Sequence, residues 1–590
     1  MKKFVISFFA VIGFVITVLL VSLVTFAVKQ KERATYNFPE SMILTLRIAD
    51  SLYEAPEPAS LFNPFKQTPL TVPQIVHALD NAAQDTRIKA LKLNLKGGQY
   101  GLAQLQEVRD AVIRFRAAGK TALVFADTLG DGPAMGSYYL ATAFDQIWMQ
   151  PIGELGITGL HAETPFGRDL LKKIGVQPQI LHQGRYKSYP ESLMRNSMSD
   201  DNREMMTSLL GDIYSQFTHA IVTERRLSPD TVKQAIDQAP LSADQAIIIG
   251  LIDAIGYNDE MDAYLEQTTN GASTVSLEDY AFYSTSRQKA PKTTFAAYIT
   301  IEGTLMDIDA EDGFLGSGMA SADGAAKAIS EAADHERISA ILIRVNSPGG
   351  SPVAAEIIRR AIVNAMVRKP VIISMGDSAA SGGYWLSAPA SAIVAQPATL
   401  TGSIGVFGGK IALDNLWKKL GVNWQAISHG QQAGMWSVNT PYNADEKKAI
   451  QASLERIYAD FITRVSQGRK LSPEQVEKIA QGRVWTGQQA LQVGLVDALG
   501  GVDKAVTVLR EKAQINDSQK LELVPFPEQP SPMAQLLKFA QRGLGRNAQI
   551  TSARVESLNL LSDMTQIPSG DLAALLSPNS ITTYSFVRVY

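Results

Sequence analysis

The feature that most constrains this chain is an internal duplication, because a sequence written twice folds as two copies of one unit. Met42-Ile-Leu-Thr-Leu-Arg-Ile-Ala-Asp-Ser-Leu52 has a counterpart in Phe295-Ala-Ala-Tyr-Ile-Thr-Ile-Glu-Gly-Thr-Leu305, and both alternate as strands do. Arg87-Ile-Lys-Ala-Leu-Lys-Leu-Asn-Leu95 matches Arg337-Ile-Ser-Ala-Ile-Leu-Ile-Arg-Val345, each followed by a glycine pair, Gly97-Gly98 and Gly349-Gly350. Further on, Leu227-Ser-Pro-Asp-Thr-Val232 pairs with Leu471-Ser-Pro-Glu-Gln-Val476, and Gly250-Leu-Ile-Asp-Ala-Ile-Gly256 with Gly494-Leu-Val-Asp-Ala-Leu-Gly500. The blocks keep their order at a spacing of about 250 residues, the mark of a tandem repeat.

Within each copy, short β-branched runs alternate with helical patterns. In the second, Ile341 to Val345 ends at Asn346-Ser-Pro-Gly-Gly350, after which Val353, Ile357, Ile358, Ala361 and Ile362 recur at helical spacing; Val371-Ile-Ile-Ser374 comes next. Strand, glycine turn, helix, strand predicts an α/β fold with a mostly parallel, helix-covered sheet in each copy. Such sheets place their sites at the carboxyl ends of the strands. The expected division is an anchor with short flanks at 1–33, repeats at 34–290 and 291–520, and a proline-bearing tail at 521–590.

The anchor is read from Phe4 to Val28, an uncharged run rich in Val, Ile, Leu and Phe. About 25 helical residues span roughly 37 Å, more than the ~30 Å hydrocarbon core. A cleaved signal peptide has a shorter apolar region ending in small residues, and Thr25-Phe26-Ala27 is a poor cleavage site. Lysines flank both ends of the run, so charge alone nearly ties on orientation. Composition excludes other classes: zero Cys removes thiol catalysis, disulfides and thiolate zinc sites, and a net charge of −3 argues against nucleic acid as a partner.

The chemistry is sought at Asp377-Ser-Ala-Ala-Ser-Gly-Gly-Tyr-Trp385, where Ser381 follows a strand, has small neighbours and opens a helix whose amino end favours developing negative charge. Ser347-Pro-Gly-Gly350 supplies a second glycine turn whose NH groups can face an oxyanion. A serine hydroxyl needs a base. Of the six histidines, only His182 and His429 precede corresponding loops, and neither setting indicates a triad. Lysine is the other partner known for serine, provided burial keeps its amine neutral. Gly184-Arg-Tyr-Lys-Ser-Tyr-Pro190 offers Lys187 between aromatic neighbours. In the alignment of the copies Met135 stands opposite Ser381, and the second copy's counterpart of the lysine loop, Gly430-Gln-Gln-Ala-Gly-Met-Trp436, has no lysine. Each copy keeps one member of a dyad, so the site is expected to form across their junction.

These motifs resemble the signal peptide peptidase A family, also called protease IV, in its long, duplicated, membrane-anchored bacterial form. Gly-Arg-Tyr-Lys-Ser in one copy with Ala-Ala-Ser-Gly-Gly-Tyr-Trp in the other carries the likeness; Ser-Pro-Gly-Gly alone is shared with the Clp protease subunit and the wider crotonase-like fold. The resemblance implies two crotonase/Clp-protease-like repeats, Ser381 as nucleophile, Lys187 as general base, oxyanion donors at the NH groups of Gly350 and Gly382 (Gly349 the alternative), and Ser403 in Thr401-Gly-Ser-Ile-Gly405 as the residue that orients the lysine. It further implies signal peptides and similar apolar peptides as substrates, a homotetramer, and a single-pass protein of the bacterial inner membrane with its catalytic domains on the periplasmic side. No cofactor or metal is expected. The rivals are a crotonase-like acyl-CoA hydratase or isomerase and a non-catalytic, peptide-binding membrane scaffold.

Overall fold

A computed structural model describes residues 38–527, apart from 49–50, 56–68, 97, 99, 131–133, 288–292, 308–318 and 517, together with the backbone of the strand Ile581–Tyr584. The first copy contributes β1 (Met42–Arg47), β2 (Ile88–Asn94), β3 (Thr121–Ala126), β4 (Gln146–Met149), β5 (Gln177–Gln183), β6 (Ala254–Ile255) and β7 (Ser273–Ser276). All but β5 join one parallel sheet in the order β6-β4-β3-β2-β1-β7. The second copy supplies β8 (Thr293–Glu302), β9 (Ile338–Ser347), β10 (Val371–Ala380), β11 (Ala392–Ala395), β12 (Val406–Ala412), β13 (Ala498–Leu499) and β14 (Lys520–Pro525). Without β12 these form a parallel sheet in the matching order β13-β11-β10-β9-β8-β14.

Both faces of each sheet are covered, which is why the strands read as continuous apolar runs. In the second copy Ile341, Ile343 and Val345 enter one core with Ile358 and Ile362, while Ala340 and Leu342 turn to the other face with Val502 and Leu509. The first copy splits its strands alike, Leu91 and Leu93 to one core, Ala90 with Leu123 and Phe125 to the other. The duplication extends to single bonds. Tyr138 donates to the Leu251 carbonyl at 2.6 Å and Tyr384 to that of Leu495 at 2.8 Å. Arg225 grips Asp253 through two nitrogens as Arg469 grips Asp497, each at the end of a helix of 26 residues, Asp200–Arg225 and Ala444–Arg469.

Near the strand ends the copies are joined in two ways that bear on the site. β5 leaves its own copy and pairs antiparallel with β12, from Gln183 opposite Val406 to Gln177 opposite Ala412. The guanidinium of Arg344, on β9, is fully buried against Glu54 and Glu107 of the first copy.

The structure corrects one expectation. Placement as a single-pass inner-membrane protein facing the periplasm is not upheld: among the described residues no helix is long and apolar enough to cross a membrane. The two longest of the described helices, of 26 residues each, are punctuated by charged residues. The run Phe4–Val28, on which that reading rested, lies outside the described residues. The second sheet ends in β14, whose alternating Leu521 and Leu523 pack beneath it as the strand pairs with β8 as far as Pro525. Most of the tail beyond lies outside the described residues.

Candidate active site

Ser381 sits where β10 ends and the helix Gly382–Ser387 begins, with φ 55° and ψ −114°. An L-residue held there stores roughly 1–3 kcal/mol of backbone strain, which persists only where the surroundings enforce it. Here they do: the Ser381 N–H donates to Gly402 O at 2.8 Å, and its carbonyl accepts from Trp385 N at 2.8 Å. The sharp strand-to-helix turn is the conformation that presents a nucleophile at a sheet's edge.

Lys187 arrives from the other copy. β5 carries the chain along β12 to Gly184, whose φ of +101° turns it beneath the loop at Gln481-Gly482. The Tyr186 N–H donates to Gln481 O at 2.8 Å, and the buried Tyr186 ring lies between the Arg185 and Arg483 guanidiniums, 4.5 and 4.9 Å from its centroid. Lys187 Nζ lies 2.8 Å from Ser381 Oγ, 3.1 Å from Ser403 Oγ and 3.2 Å from Ser403 O. Lys187 is 2% exposed, Ser381 0% and Ser403 1%. Burial holds the Lys187 amine well below the ordinary lysine range. A neutral amine has two N–H groups and one lone pair. In that neutral form the carbonyl of Ser403 takes one N–H, and the two hydroxyls share the other N–H and the lone pair, so every valence of the amine has a partner in the buried pocket.

Ser403 is itself held in the left-handed region, φ 50°, with its N–H donating to Arg483 O at 2.7 Å. The lysine and Ser403 loops meet at a glycine that sequence reasoning passed over. A Cβ on Gly482, where φ is +77°, stands 2.6 Å from Lys187 N and 2.8 Å from Lys187 Cβ. Gly482→Ala is therefore expected to push Lys187 out of register and lower kcat by about 100-fold, the scale of a 1 Å misplacement. Steady-state kinetics with circular dichroism check this; wild-type turnover in a folded variant removes the packing argument. Only its neighbourhood to Lys187 in space marks this glycine, and no motif surrounds it.

The remaining expected residues lie close by, the histidines excepted. Gly349 and Gly350 adopt φ of +112° and +148°, and a side chain on Gly350 is excluded by the Leu305 carbonyl, 2.2 Å from where a Cβ stands. The Gly349 N–H donates to Ser347 Oγ at 3.2 Å. Gly382 opens the helix after Ser381, and the next residue, Gly383, packs so closely that its Cβ would lie 2.8 Å from Ser347 O. The two glycine turns thus abut beside Ser381. His182 is exposed, its ring bonded to Gly184 O, and His429 is exposed too; neither makes a hydrogen bond to Ser381 or Lys187.

The family model of peptidase family S49 matches residues 114–271 and 365–516, one stretch in each copy. The chain belongs to peptidase family S49. This peptidase is 35% identical to Protease 4 of Salmonella typhi over 75% of this chain and 72% of the relative. It is 31% identical to Protease 4 of Haemophilus influenzae over 87% of this chain and 85% of that one. A plant protein, the chloroplastic serine protease SPPA of Arabidopsis thaliana, is 30% identical over 79% of this chain and 69% of its own. Family and relatives make this a serine protease.

Beneath the site of the peptidase lies a charge cluster that the sequence did not announce. Arg344 Nε and Nη2 bond both oxygens of Glu54 at 2.9 and 3.0 Å, Nη2 reaches Glu107 at 2.6 Å, and Nη1 donates to Ser374 Oγ at 2.9 Å. The Asp377 carboxyl accepts the N–H groups of Ala103 and Gln104 at 2.9 and 3.2 Å, at the start of the helix Leu102–Ala117. Burial, with the Glu54 charge adding to it, raises both Asp377 and Glu302 to about 7. The signal available in the sequence was a lone arginine inside Ile-Leu-Ile-Arg-Val, a strand otherwise apolar.

Proposed function

We propose that this S49 peptidase is a serine endopeptidase in which Ser381 is the nucleophile and Lys187 the general base, acting on signal peptides left after secretion and similar apolar peptides. The observation that carries the reading is the 2.8 Å approach of Lys187 Nζ to Ser381 Oγ in a pocket whose burial holds the amine well below the ordinary lysine range. Ser381 Oγ attacks the scissile carbonyl as its proton passes to Nζ, giving a tetrahedral oxyanion and an ammonium. Collapse breaks the C–N bond, the ammonium returns its proton to the leaving amine, and an acyl-enzyme remains. Water then attacks the ester by the same route and regenerates Ser381. Ser403 orients the amine, and the NH groups of Gly350 and Gly382 hold the oxyanion. Gly349, whose N–H donates to Ser347 Oγ at 3.2 Å, is the alternative donor.

An extended substrate fits the surroundings. The strand Ile581–Tyr584 of this chain lies between Gly349-Gly350 and β12, antiparallel to both. The glycine turns at the strand ends support a crotonase/Clp-like repeat, and the resemblance supports a homotetramer. The hydratase reading is not favoured, because Oδ1 of Asp377 already accepts two backbone N–H groups of the first copy.

The test is phosphonylation of Ser381 by a fluorophosphonate, with fluoride as the leaving group, followed across pH and read by intact mass. Labelling is expected to rise with pH as Lys187 loses its proton, reaching its plateau well below the ordinary lysine range, and to disappear in Lys187→Ala. Labelling of Lys187→Ala at the wild-type rate excludes the lysine as base.

A further inference from the structure

Two helices stand at equivalent places in the copies and are capped in different ways. The offset that aligns Arg87 with Arg337 aligns Gly101 with Ser351, the residues just before the helices Leu102–Ala117 and Pro352–Met366. A helix leaves its first backbone N–H groups without intrahelical partners, and a short polar side chain at the capping position can accept from one of them. In the second copy Ser351 does so locally, its Oγ accepting from Ala354 N at 3.3 Å. In the first copy the capping residue is a glycine with no side chain to offer. The acceptor comes from the other copy: Oδ1 of Asp377 takes the N–H groups of Ala103 and Gln104, the second and third residues of the helix. The glycine serves this contact and not its own backbone. Its φ of −64° suits any residue, but a Cβ there stands 1.6 Å from Asp377 Oδ2.

The other side of the contact is an irregularity in the strand that carries the nucleophile. β10 pairs with β9 from Val371 opposite Ile341 to Met375 opposite Val345, and resumes with Ala379 opposite Ser347. Asn346 alone therefore faces Gly376, Asp377 and Ser378, which form a bulge. A bulge bends its strand and re-aims the side chains that follow, a device found beside active sites. This one is tied in three directions. Asn346 Oδ1 accepts Ser378 N at 3.1 Å, Thr399 Oγ1 donates to Gly376 O at 2.8 Å, and Asp377 reaches the first copy. Past the bulge Ala379 and Ala380 pair with Thr401 and Gly402, and the next residue is Ser381 with its φ of 55°. Two of the ties lie within the second copy, and the third does not.

We propose that Asp377 is a positioning residue for the nucleophile: by capping a helix of the first copy, its carboxylate pins the bulge of β10 and so holds the Ser381 turn in place. The first copy then acts on both members of the dyad, delivering Lys187 along β5 and bracing Ser381 through the amino end of Leu102–Ala117. The inference rests on Ser381 as the nucleophile and adds to that reading a group that acts through the backbone of β10.

A cap can be replaced without replacing the tie, and this separates positioning from stability. In the full chain, Asp377→Ala is expected to slow phosphonylation of Ser381, and kcat on a Leu- or Ala-rich peptide, by about 100-fold with KM within about twofold, the scale of a 1 Å displacement. Asp377→Asn keeps an acceptor oxygen for both N–H groups and should recover to within about fivefold of wild type. Asp377→Ala combined with Gly101→Ser places a local cap where the second copy has Ser351; its urea midpoint should return to the wild-type value while labelling stays about 100-fold slow. This pair carries the test where Asp377→Ala alone does not fold. Gly101→Ala, which drives the carboxylate off the helix, should match Asp377→Ala, and adding it to Asp377→Ala should slow labelling by less than about a further twofold. Wild-type labelling in folded Asp377→Ala, or recovery of labelling by Gly101→Ser, overturns the proposal and leaves Asp377 a helix cap only. Multiplying effects of Gly101→Ala and Asp377→Ala overturn it as well, since the two groups would then act apart. Failure of the dyad reading looks different: the wild-type protein itself would carry no adduct on Ser381.

Discussion

Lys187→Met is expected to lower kcat on a Leu- or Ala-rich peptide by about 10⁴- to 10⁶-fold, as Ser381→Ala should, with the double variant hardly worse than either. Non-additivity is the diagnostic part, because a nucleophile and its base act as one unit. The lysine variant should also gain about 1 kcal/mol of stability, in the range found when a strained functional group is replaced. Burial lowers the amine's ionisation in the folded state. The unfolded chain therefore binds more protons between the folded value and about 10.4, and stability rises with pH across that window. Methionine, of similar length and uncharged, abolishes this penalty and flattens the pH dependence. Urea midpoints at several pH values, beside peptide-cleavage rates, decide it. A Lys187→Met protein with wild-type turnover, or one losing several kcal/mol, contradicts a neutral catalytic amine.

Arg344→Met is expected to destabilise the chain by about 3–5 kcal/mol, because it leaves Glu54 and Glu107 buried without a counter-charge. Adding Glu54→Gln and Glu107→Gln should return most of the loss, since removing all the charges of such a cluster is close to neutral. The deficit should widen as pH rises. Burial raises Asp377 and Glu302 to about 7 and raises Glu107 as well, so these acids bind more protons folded than unfolded from their ordinary range near 4 upward. Stability contributed this way is present at low pH and is lost as pH climbs through 7, more steeply once the guanidinium is gone. Denaturant titrations at pH 5.5 and pH 8 read the difference. A variant equally stable at both, or a triple variant worse than the single, refutes the assignment of Arg344 as the counter-charge of Glu54 and Glu107.

What the sequence displayed and what it concealed divide along physical lines. The repeat was legible because matching blocks share burial patterns, and Ser381 and Lys187 stood out because each occurs in one copy and is missing from the other. The parallel, helix-covered sheets followed from the alternation of apolar runs with helices, whereas the strand order did not. The lysine loop itself resembled surface: nothing in Gly-Arg-Tyr-Lys-Ser says that Tyr186 and Lys187 are buried, since the residues that cover them, Gln481 to Arg483, come from the other copy. Glu54, Glu107 and Arg344 escaped for the same reason, being far apart in the chain and meeting only when two sheets dock. Gly482 shows the limit most clearly, because what matters there is an absent side chain beside a distant backbone.

The crossing of β5 onto β12 has a consequence for how such a gene is inherited. Ordinary tandem repeats are forgiving, since one module can decay while its twin continues the work. On the proposed dyad of Ser381 and Lys187 the partition of labour forbids that: a lesion in either half is expected to silence the other, and the pair passes through selection as a single locus. Two truncated alleles, each carrying one half, would be null apart and could restore each other only by meeting in the same cell.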